Sequence, residues 1–261
     1  MNNAVARQTS KAKSTARKRP AKKTGKGASA SKRARPARGL KRLLWGWIWR
    51  AGVAVAVVLA LSLLFFRFFN PPTTYYMTAE ARRLGGVDHQ WIPLSEMAPS
   101  MPLSAVAAED ANFCLHWGFD MDAIRKAMED GGQRGASTIS QQTVKNVYLW
   151  QGRSWTRKAL EAVLTPLAET VWPKRRLLEL YLNVAEFDEG VFGVDAAAFR
   201  YFRTGAADLT PEQAARLAAI LPDPKGRSAA QPTSYLKKRT RQIMDGAATL
   251  RSDGRADCFA G

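Results

Sequence analysis

The longest apolar run of the chain lies near its N-terminus, over residues 43–66, and only Arg50 and Ser62 interrupt it. An α-helix rises about 1.5 Å per residue, so roughly 20 apolar residues span the core of a bilayer. Tryptophans at one end and phenylalanines at the other suit the two membrane interfaces. Pro71 and Pro72 then end the run, and no A-x-A cleavage site follows. The pattern predicts one transmembrane helix over residues 43–69.

Beyond this run, apolar residues recur at helical spacing and do not alternate long enough to form the core of a sheet. The stretch 70–100 is interpreted as an extended linker that leads into a folded domain. Ser104, Asp120 and Thr210 are predicted N-caps of the helices that follow each of them. The predicted helices cover residues 105–110, 121–130, a stretch from Ser137 or Thr138, 155–170, 173–187, 194–202, 214–221 and 234–251. The pattern therefore predicts a mainly α domain over 101–261.

The net charge of +18 is very unevenly distributed. Residues 1–42 contain 15 Lys and Arg and no Asp or Glu, and almost no large apolar side chain. Such a segment cannot bury enough surface to offset its ordering entropy, so we expect a disordered tail. Residues 71–261 contain 23 basic and 22 acidic residues and are nearly neutral, which disfavours nucleic-acid binding by the domain. Because basic segments stay in the cytoplasm, we expect the domain on the other side of the membrane.

The two cysteines, Cys114 and Cys258, are too few for a disulfide framework. They could pair if the domain lies outside the cytoplasm. We nevertheless expect both to be unpaired.

Acidic residues and an aromatic wall mark the first candidate for chemistry. Glu109 and Asp110 end a predicted helix, and Phe113, His116 and Trp117 follow within eight residues of Glu109. A carboxylate beside such a wall loses solvation, which raises its basicity. A surface acid is the ordinary alternative for Glu109 taken alone.

Polar residues on one predicted helix form the second candidate. Thr138, Gln142 and Lys145 lie at i, i+4 and i+7 and share a face, which Gln141 and Asn146 flank. Amides with a single cation make a poor core stripe and a poor salt-bridged surface. The face suits hydrogen bonds to sugar and phosphate oxygens.

Two cations and a carboxylate on the next helix form the third candidate. Arg157 and Lys158 lie four and three residues before Glu161. The ordinary interpretation is two helix-surface ion pairs. The functional interpretation is a cationic cradle for a pyrophosphate, in which Glu161 either orients the cations or binds a divalent metal.

Five motifs in order resemble the peptidoglycan glycosyltransferase family. They are E-D-A-N-F-x-x-H-x-G from Glu109, G-A-S-T-I-x-Q-Q-x-x-K-N from Gly135, R-K-x-x-E from Arg157, K-R-x-L-L-E-x-Y-L-N from Lys174 and G-V-x-A-A-A-x-x-Y-F from Gly193. The chain beyond Pro224 is too short for the penicillin-binding transpeptidase domain that bifunctional members carry, so the resemblance is to monofunctional members.

The resemblance implies a lysozyme-like helical domain that polymerises lipid II by inverting transfer and releases undecaprenyl pyrophosphate. By motif position, Glu109 would be the base for the acceptor hydroxyl, and Glu161 a second acid near the donor pyrophosphate. Asp110, Phe113 and His116 would shape and support the site around Glu109. The residues implied to hold the donor are Ser137, Thr138, Gln142, Lys145, Asn146, Arg157 and Lys158.

The same resemblance leaves open whether a divalent cation, Mg²⁺ or Mn²⁺, takes part at Glu161. It implies lipid II, the growing glycan chain and the membrane as partners, with division or elongation proteins as further ones and no nucleic acid. It also implies a single-pass protein of the bacterial inner membrane, with the N-terminus in the cytoplasm and the domain in the periplasm.

Two other functions compete with this interpretation. A membrane-anchored glycan hydrolase of lysozyme type would also use a catalytic Glu, but it would not need the cations Lys145, Arg157 and Lys158. A non-enzymatic scaffold of the division machinery would keep the motifs only as structure.

Overall fold

In this computed structural model the described residues are 38–131 and 135–260, with side chains described from Arg42 onward. Most of the predicted disordered basic tail, residues 1–37, lies outside the described residues. The chain divides into two units, residues 1–50 and 51–261. Everything that follows about packing and the site concerns the second unit.

Helices make up most of the described residues. In chain order they are α1 Arg38–Phe68, α2 Tyr75–Leu84, α3 Ser100–Glu109, α4 Met121–Glu129, α5 Ile139–Tyr148, α6 Trp155–Val171, α7 Lys174–Val184, α8 Val194–Phe202, α9 Pro211–Ile220, α10 Ser234–Ser252 and α11 Asp257–Ala260. Short 3₁₀ helices cover Leu94–Glu96 and Ala206–Asp208. The mainly α prediction is confirmed, and helix α8 has the predicted bounds.

A small sheet is the one departure from the helical pattern among these residues. Its strands β1 Asp88–His89, β2 Glu186–Asp188 and β3 Val191–Phe192 lie in the order β1-β3-β2. β1 runs parallel to β3 and β2 antiparallel to it. Strands of two or three residues are too short to show alternation, which is why the sequence did not reveal them.

Helix α1 contains the predicted apolar run. The segment Arg42–Phe68 is long and apolar enough to cross a membrane, with a mean hydropathy of 2.3. Its last turns also pack on the domain. Leu63 is buried, its carbonyl accepts a hydrogen bond from the Trp172 indole at 2.7 Å, and Arg176 donates to the Phe66 and Phe69 carbonyls at 2.9 and 2.8 Å.

The prediction of an extended linker over 70–100 is wrong. Thr74 caps α2 by accepting a hydrogen bond from the Met77 amide, and Gly85 ends the helix in the left-handed conformation with φ +82°. Met77 is buried, so a tertiary contact stabilises a helix that the β-branched and aromatic composition of 73–77 disfavours.

The core lies around α3 and around α5. Helix α3 packs against α9 and α10, and α5 packs against α6 and α7. Ser104 is not the N-cap that the sequence suggested, because α3 begins at Ser100 and Ser104 is buried within it. Most residues of α3 are apolar, and the run from Met101 to Val106 is buried, as expected of a helix enclosed by others.

The expectation of unpaired cysteines is also wrong, because Cys114 and Cys258 form a disulfide. They are 144 residues apart in sequence. Helix α11 brings Cys258 back to the loop after α3, where the Phe259 and Phe113 ring centroids lie 6.3 Å apart. Periodicity along the chain contains no information about such a return.

Candidate active site

Glu109 is the last residue of α3, at the point where the chain leaves the helix. Asp110 follows with φ −159° and ψ 68°, which is not helical, and its amide closes the last turn on the Val106 carbonyl. The Glu109 Oε2 atom accepts a hydrogen bond of 2.9 Å from Gln142 Nε2 on α5. Because α3 packs against α9 and α10 and Gln142 connects Glu109 to α5, this carboxylate has a defined position.

The environment of Glu109 makes it a better proton acceptor. Burial raises the pKa of its carboxyl group, while the Gln142 hydrogen bond and the charges of Arg239 and Lys145 oppose that rise. Burial has the larger effect, and the net direction is upward. The direction agrees with the desolvation that the sequence predicted.

Asp110 ties the loop after α3 to the start of α5. One carboxylate oxygen lies 2.8 Å from His116 Nε2, and the other accepts a hydrogen bond of 3.0 Å from the Ile139 amide. Phe113 is fully buried behind these two contacts of Asp110, with the Lys174 ammonium 4.5 Å from its ring centroid. Asp110 therefore borders the site, whereas Phe113 and His116 support it from behind.

Thr138 opens α5 and fixes its orientation. Its hydroxyl accepts from the Gln141 amide and donates to the Gly118 carbonyl at 2.7 Å, and the Gln141 side chain completes a capping box. Gly118 has φ +89°, and a Cβ there would lie 2.9 Å from Thr165 Cγ2. The close approach requires glycine at this position. The Thr138 hydroxyl is bonded to the backbone on both sides and fixes the start of α5.

The cations predicted to hold pyrophosphate converge on Glu161 of α6. Arg157 donates to Glu161 Oε2 at 2.7 Å, and the Lys158 ammonium contacts Oε1. Glu161 is only 2% exposed, whereas the Lys158 side chain is 42% exposed. Lys158 also contacts the Ser137 hydroxyl at 3.2 Å. The buried carboxylate thus holds two cations with their outer sides toward the site.

Lys145 interacts electrostatically with both carboxylates. Burial lowers the pKa of its ammonium group, and the charges of both Glu161 and Glu109 oppose that fall. Lys145 also lines a cavity of about 310 Å³ together with Gln142 and Asn146. A second cavity of about 230 Å³ is bordered by Glu109, Asp110 and Ser137. Contacts connect the predicted base with the predicted cations, because Gln142 bonds Glu109 and Lys158 contacts Ser137 at the border of the Glu109 cavity.

Several residues of this site were missed at the level of sequence. Tyr181 was assigned to a core stripe, yet its hydroxyl donates to Gln142 Oε1 at 3.4 Å. Tyr76, Glu186 and Lys225 form the far wall of the larger cavity, where Tyr76 is bonded to Glu186 and Lys225 lies 3.2 Å from the same carboxylate. A hydroxyl on an apolar stripe was the available signal for Tyr181. The other three come from distant segments without any local signal.

The predicted alternatives for Glu161 can be compared with this geometry. In residues 38–131 and 135–260, no group of three or more His, Cys, Asp or Glu side chains could hold a metal ion. Both oxygens of Glu161 contact a cation, so a metal there would displace Arg157 or Lys158. The side chains fit the orienting role and do not build a metal centre. A divalent cation in the reaction stays a prediction.

Comparison with known proteins places the chain in a family. The transglycosylase family model matches residues 78–248. A biosynthetic peptidoglycan transglycosylase of Jannaschia sp. is 54% identical over 224 residues, which cover 86% of this chain and 94% of the relative. Proteins of the same name from Caulobacter vibrioides and Rhodospirillum centenum are 48% and 45% identical over 214 and 215 residues. Each alignment covers 80% of this chain, and 91% and 92% of the respective relatives.

The matched region begins in α2 and ends in α10, so it contains Glu109, Lys145, Glu161 and the cations around them. The helical architecture agrees with the predicted lysozyme-like domain behind one N-terminal apolar helix. The resemblance that the five motifs carried is confirmed. The chain belongs to the peptidoglycan transglycosylase family.

Proposed function

We propose that this protein polymerises lipid II into β-1,4-linked glycan strands and releases undecaprenyl pyrophosphate. Family membership makes it a glycosyltransferase of peptidoglycan synthesis. The observation that supports the finer reaction is the contrast between two acids whose charges both act on Lys145. Glu109 is desolvated and accepts one hydrogen bond from Gln142, whereas Glu161 holds two cations.

Glu109 acts as the general base of the proposed reaction. A sugar hydroxyl is a poor nucleophile near neutral pH, so a positioned carboxylate with a raised pKa is useful. Glu109 takes the proton of the acceptor 4-hydroxyl while that oxygen attacks the anomeric carbon of the donor. The bond from this carbon to the pyrophosphate oxygen breaks, and the pyrophosphate leaves with the electron pair. Attack from the opposite face inverts the anomeric configuration.

The cations Lys145, Arg157 and Lys158 stabilise the charge on the leaving pyrophosphate. Pyrophosphate is already a weak base, so charge stabilisation matters more than a general acid. Glu161 keeps Arg157 and Lys158 in place before substrate arrives, which avoids reorganisation during the reaction. A glycan hydrolase has no comparable charge to bind, and these cations favour the polymerase over that alternative.

The location follows from the substrate and the anchor. Helix α1 is long enough to span a bilayer, and we place it in the bacterial inner membrane with the basic tail in the cytoplasm. Phe65, Arg67 and Phe68 then lie at the outer surface, where lipid II is presented. The Cys114–Cys258 disulfide supports a periplasmic domain, because such bonds persist in oxidising compartments. Division or elongation proteins are the partners we expect.

The test is polymerisation of purified lipid II by the full chain in detergent, with glycan length and pyrophosphate release as readouts. Glu109→Gln keeps an acceptor for Gln142 but cannot take a proton, and we expect a loss of at least about a hundredfold. Glu212→Gln, at an exposed position on α9, is the matched control. A Glu109→Gln rate near wild type, or cleavage of glycan without synthesis, would overturn the proposal.

A chelator arm of the same assay addresses the divalent cation. If EDTA abolishes polymerisation and Mg²⁺ or Mn²⁺ restores it, a metal shares the pyrophosphate with the cations. An unchanged rate assigns the charge stabilisation to Lys145, Arg157 and Lys158 alone.

A further inference from the structure

Charged and polar groups face Glu109 from four directions. Gln142 and Lys145 approach from α5, Tyr181 from α7, and Asp110 follows Glu109 in the chain. The fourth direction is α10, which contributes Arg239. Arg239 belongs to none of the five motifs, and on sequence alone it is one of many cations on a basic amphipathic helix.

Arg239 is bonded to the end of the helix that carries the base. Its guanidinium donates a hydrogen bond of 3.0 Å to the carbonyl of Ala108, the residue before Glu109. The last carbonyls of a helix have no partner within the helix, and a cation there also interacts favourably with the helix dipole. Removing this donor would leave the last turn of α3 less constrained.

Helices α3 and α10 also approach closely at a second point, two turns further along the same face of α10. Gly246 lies seven residues after Arg239, which is two helical turns and therefore the same face. A Cβ at Gly246 would lie 3.3 Å from the Ala107 Cβ. Close packing at Gly246 thus holds α10 near the end of α3 independently of the Arg239 hydrogen bond.

The charge of Arg239 acts on the Glu109 carboxyl. It lowers the pKa of that group against the larger effect of burial, and it does so more strongly than Lys145. Arg239 is partly buried, so solvent screens this interaction less than it would on an open surface.

We propose that Arg239 is a positioning residue for the base, one that fixes the end of α3 through the Ala108 carbonyl and presents a positive charge to the Glu109 side of the site while Lys145 is engaged with the donor. The proposal rests on the proposed function, in which Glu109 must be unprotonated to react. A helix-capping role alone would also explain the Ala108 contact, but it predicts no change in the pH dependence of the reaction.

The experiment compares three variants of the full chain in detergent. Arg239→Gln removes the charge and keeps a polar donor, Arg239→Lys keeps the charge, and Arg241→Gln removes an exposed cation two residues further on. The pH profile of kcat/KM for lipid II polymerisation is measured for each. In parallel, infrared spectroscopy follows the Glu109 carboxyl as the band lost in Glu109→Gln.

For Arg239→Gln we expect the acidic limb to move to higher pH, because the Glu109 carboxyl then protonates more readily. The loss should be about tenfold on the acidic limb and less than about threefold on the alkaline plateau. Arg239→Lys should keep the acidic limb at the pH of the wild type, and its kcat/KM should fall only on the alkaline plateau. Arg241→Gln should match the wild type throughout.

The proposal is overturned if Arg239→Gln loses activity equally at all pH values, or if the infrared titration of Glu109 does not move. Should Arg239→Gln fail to fold, a displaced limb in Arg239→Lys overturns it as well. Failure of the proposed function would look different. Glu109→Gln would then remain active, which rules out Glu109 as the base, while the infrared band of Glu109 would still shift in Arg239→Gln.

Discussion

The two acidic ends of the site are built in opposite ways. Glu109 receives one hydrogen bond from the neutral amide of Gln142, and burial raises the pKa of its carboxyl group. Glu161 is buried as well, yet each of its oxygens contacts a cation. A buried carboxylate without a cation at bonding distance is suited to accept a proton, whereas one that contacts two cations is suited to orient them. The difference teaches that burial alone does not decide the role of an acid; its partners do.

The largest effect should come from the cation between the two ends. Lys145→Met removes the charge that both carboxylates share, and we expect kcat/KM to fall by about a hundredfold, as when one stabilising donor is lost. The acidic limb of the pH profile should also move upward, since Lys145 opposes the raised pKa of Glu109. The measurement is the pH dependence of polymerisation, with Lys237→Met on exposed α10 as control. If the acidic limb does not move, Lys145 does not act on Glu109, and the comparison between the two ends of the site loses their common cation.

A change of stability should distinguish the two acids. Glu161→Gln leaves Arg157 and Lys158 unpaired around a buried group, and we expect a loss of about 2–3 kcal/mol in the free energy of unfolding, less than a fully buried pair because Lys158 is 42% exposed. Glu109→Gln should leave the melting temperature equal or higher, because a carboxyl with a raised pKa destabilises the fold once it ionises. Equal losses in both variants would contradict the comparison.

The disulfide should matter on the Glu109 side alone. Cys114 lies in the loop that follows Glu109, and the bond closes a long stretch of chain. Replacing both cysteines with serine should cost about 2–5 kcal/mol of stability. Hydrogen exchange should increase in residues 110–117 and stay unchanged in 155–161. Faster exchange at both ends would show that the loop and the cationic cradle are mechanically coupled.

The smallest effect should arise where the two ends touch. Ser137 borders the cavity of Glu109, and its hydroxyl contacts Lys158 at 3.2 Å. Ser137→Ala removes one exposed hydrogen bond worth about 0.5–1 kcal/mol, so KM for lipid II should rise about two- to fivefold with kcat unchanged. A large fall in kcat would mean that Ser137 participates in the chemistry rather than in binding.

The parts of the fold that the sequence predicted well are those with local signals. Asp120 and Thr210 each cap the predicted helix by accepting the expected backbone hydrogen bond, and the helix predicted from Ser137 or Thr138 begins behind Thr138. The break at Gly193 and the Ala-rich run after it gave helix α8 its bounds. Lys145 and Glu161 lie on α5 and α6, which pack against each other, and Gln142 of α5 bonds Glu109 at the end of α3.

What the sequence did not predict depends on contacts between distant segments. Met77 stabilises α2 by burial, Cys258 reaches Cys114 across 144 residues, and Lys225 meets Glu186 only in the folded domain. The same holds for Arg239, whose importance comes from a carbonyl 131 residues away. No periodicity or motif within one segment encodes these partners.

Arg176 fixes the segment through which the chain leaves the end of α1. Its guanidinium binds the Phe66 and Phe69 carbonyls and the Asn70 amide oxygen, so the chain leaves α1 without a free hinge. Contacts of a folded side chain, rather than a flexible linker, therefore fix the exit of the chain from α1. In the polymerase proposed above, these contacts would set the height of the site above the lipid surface.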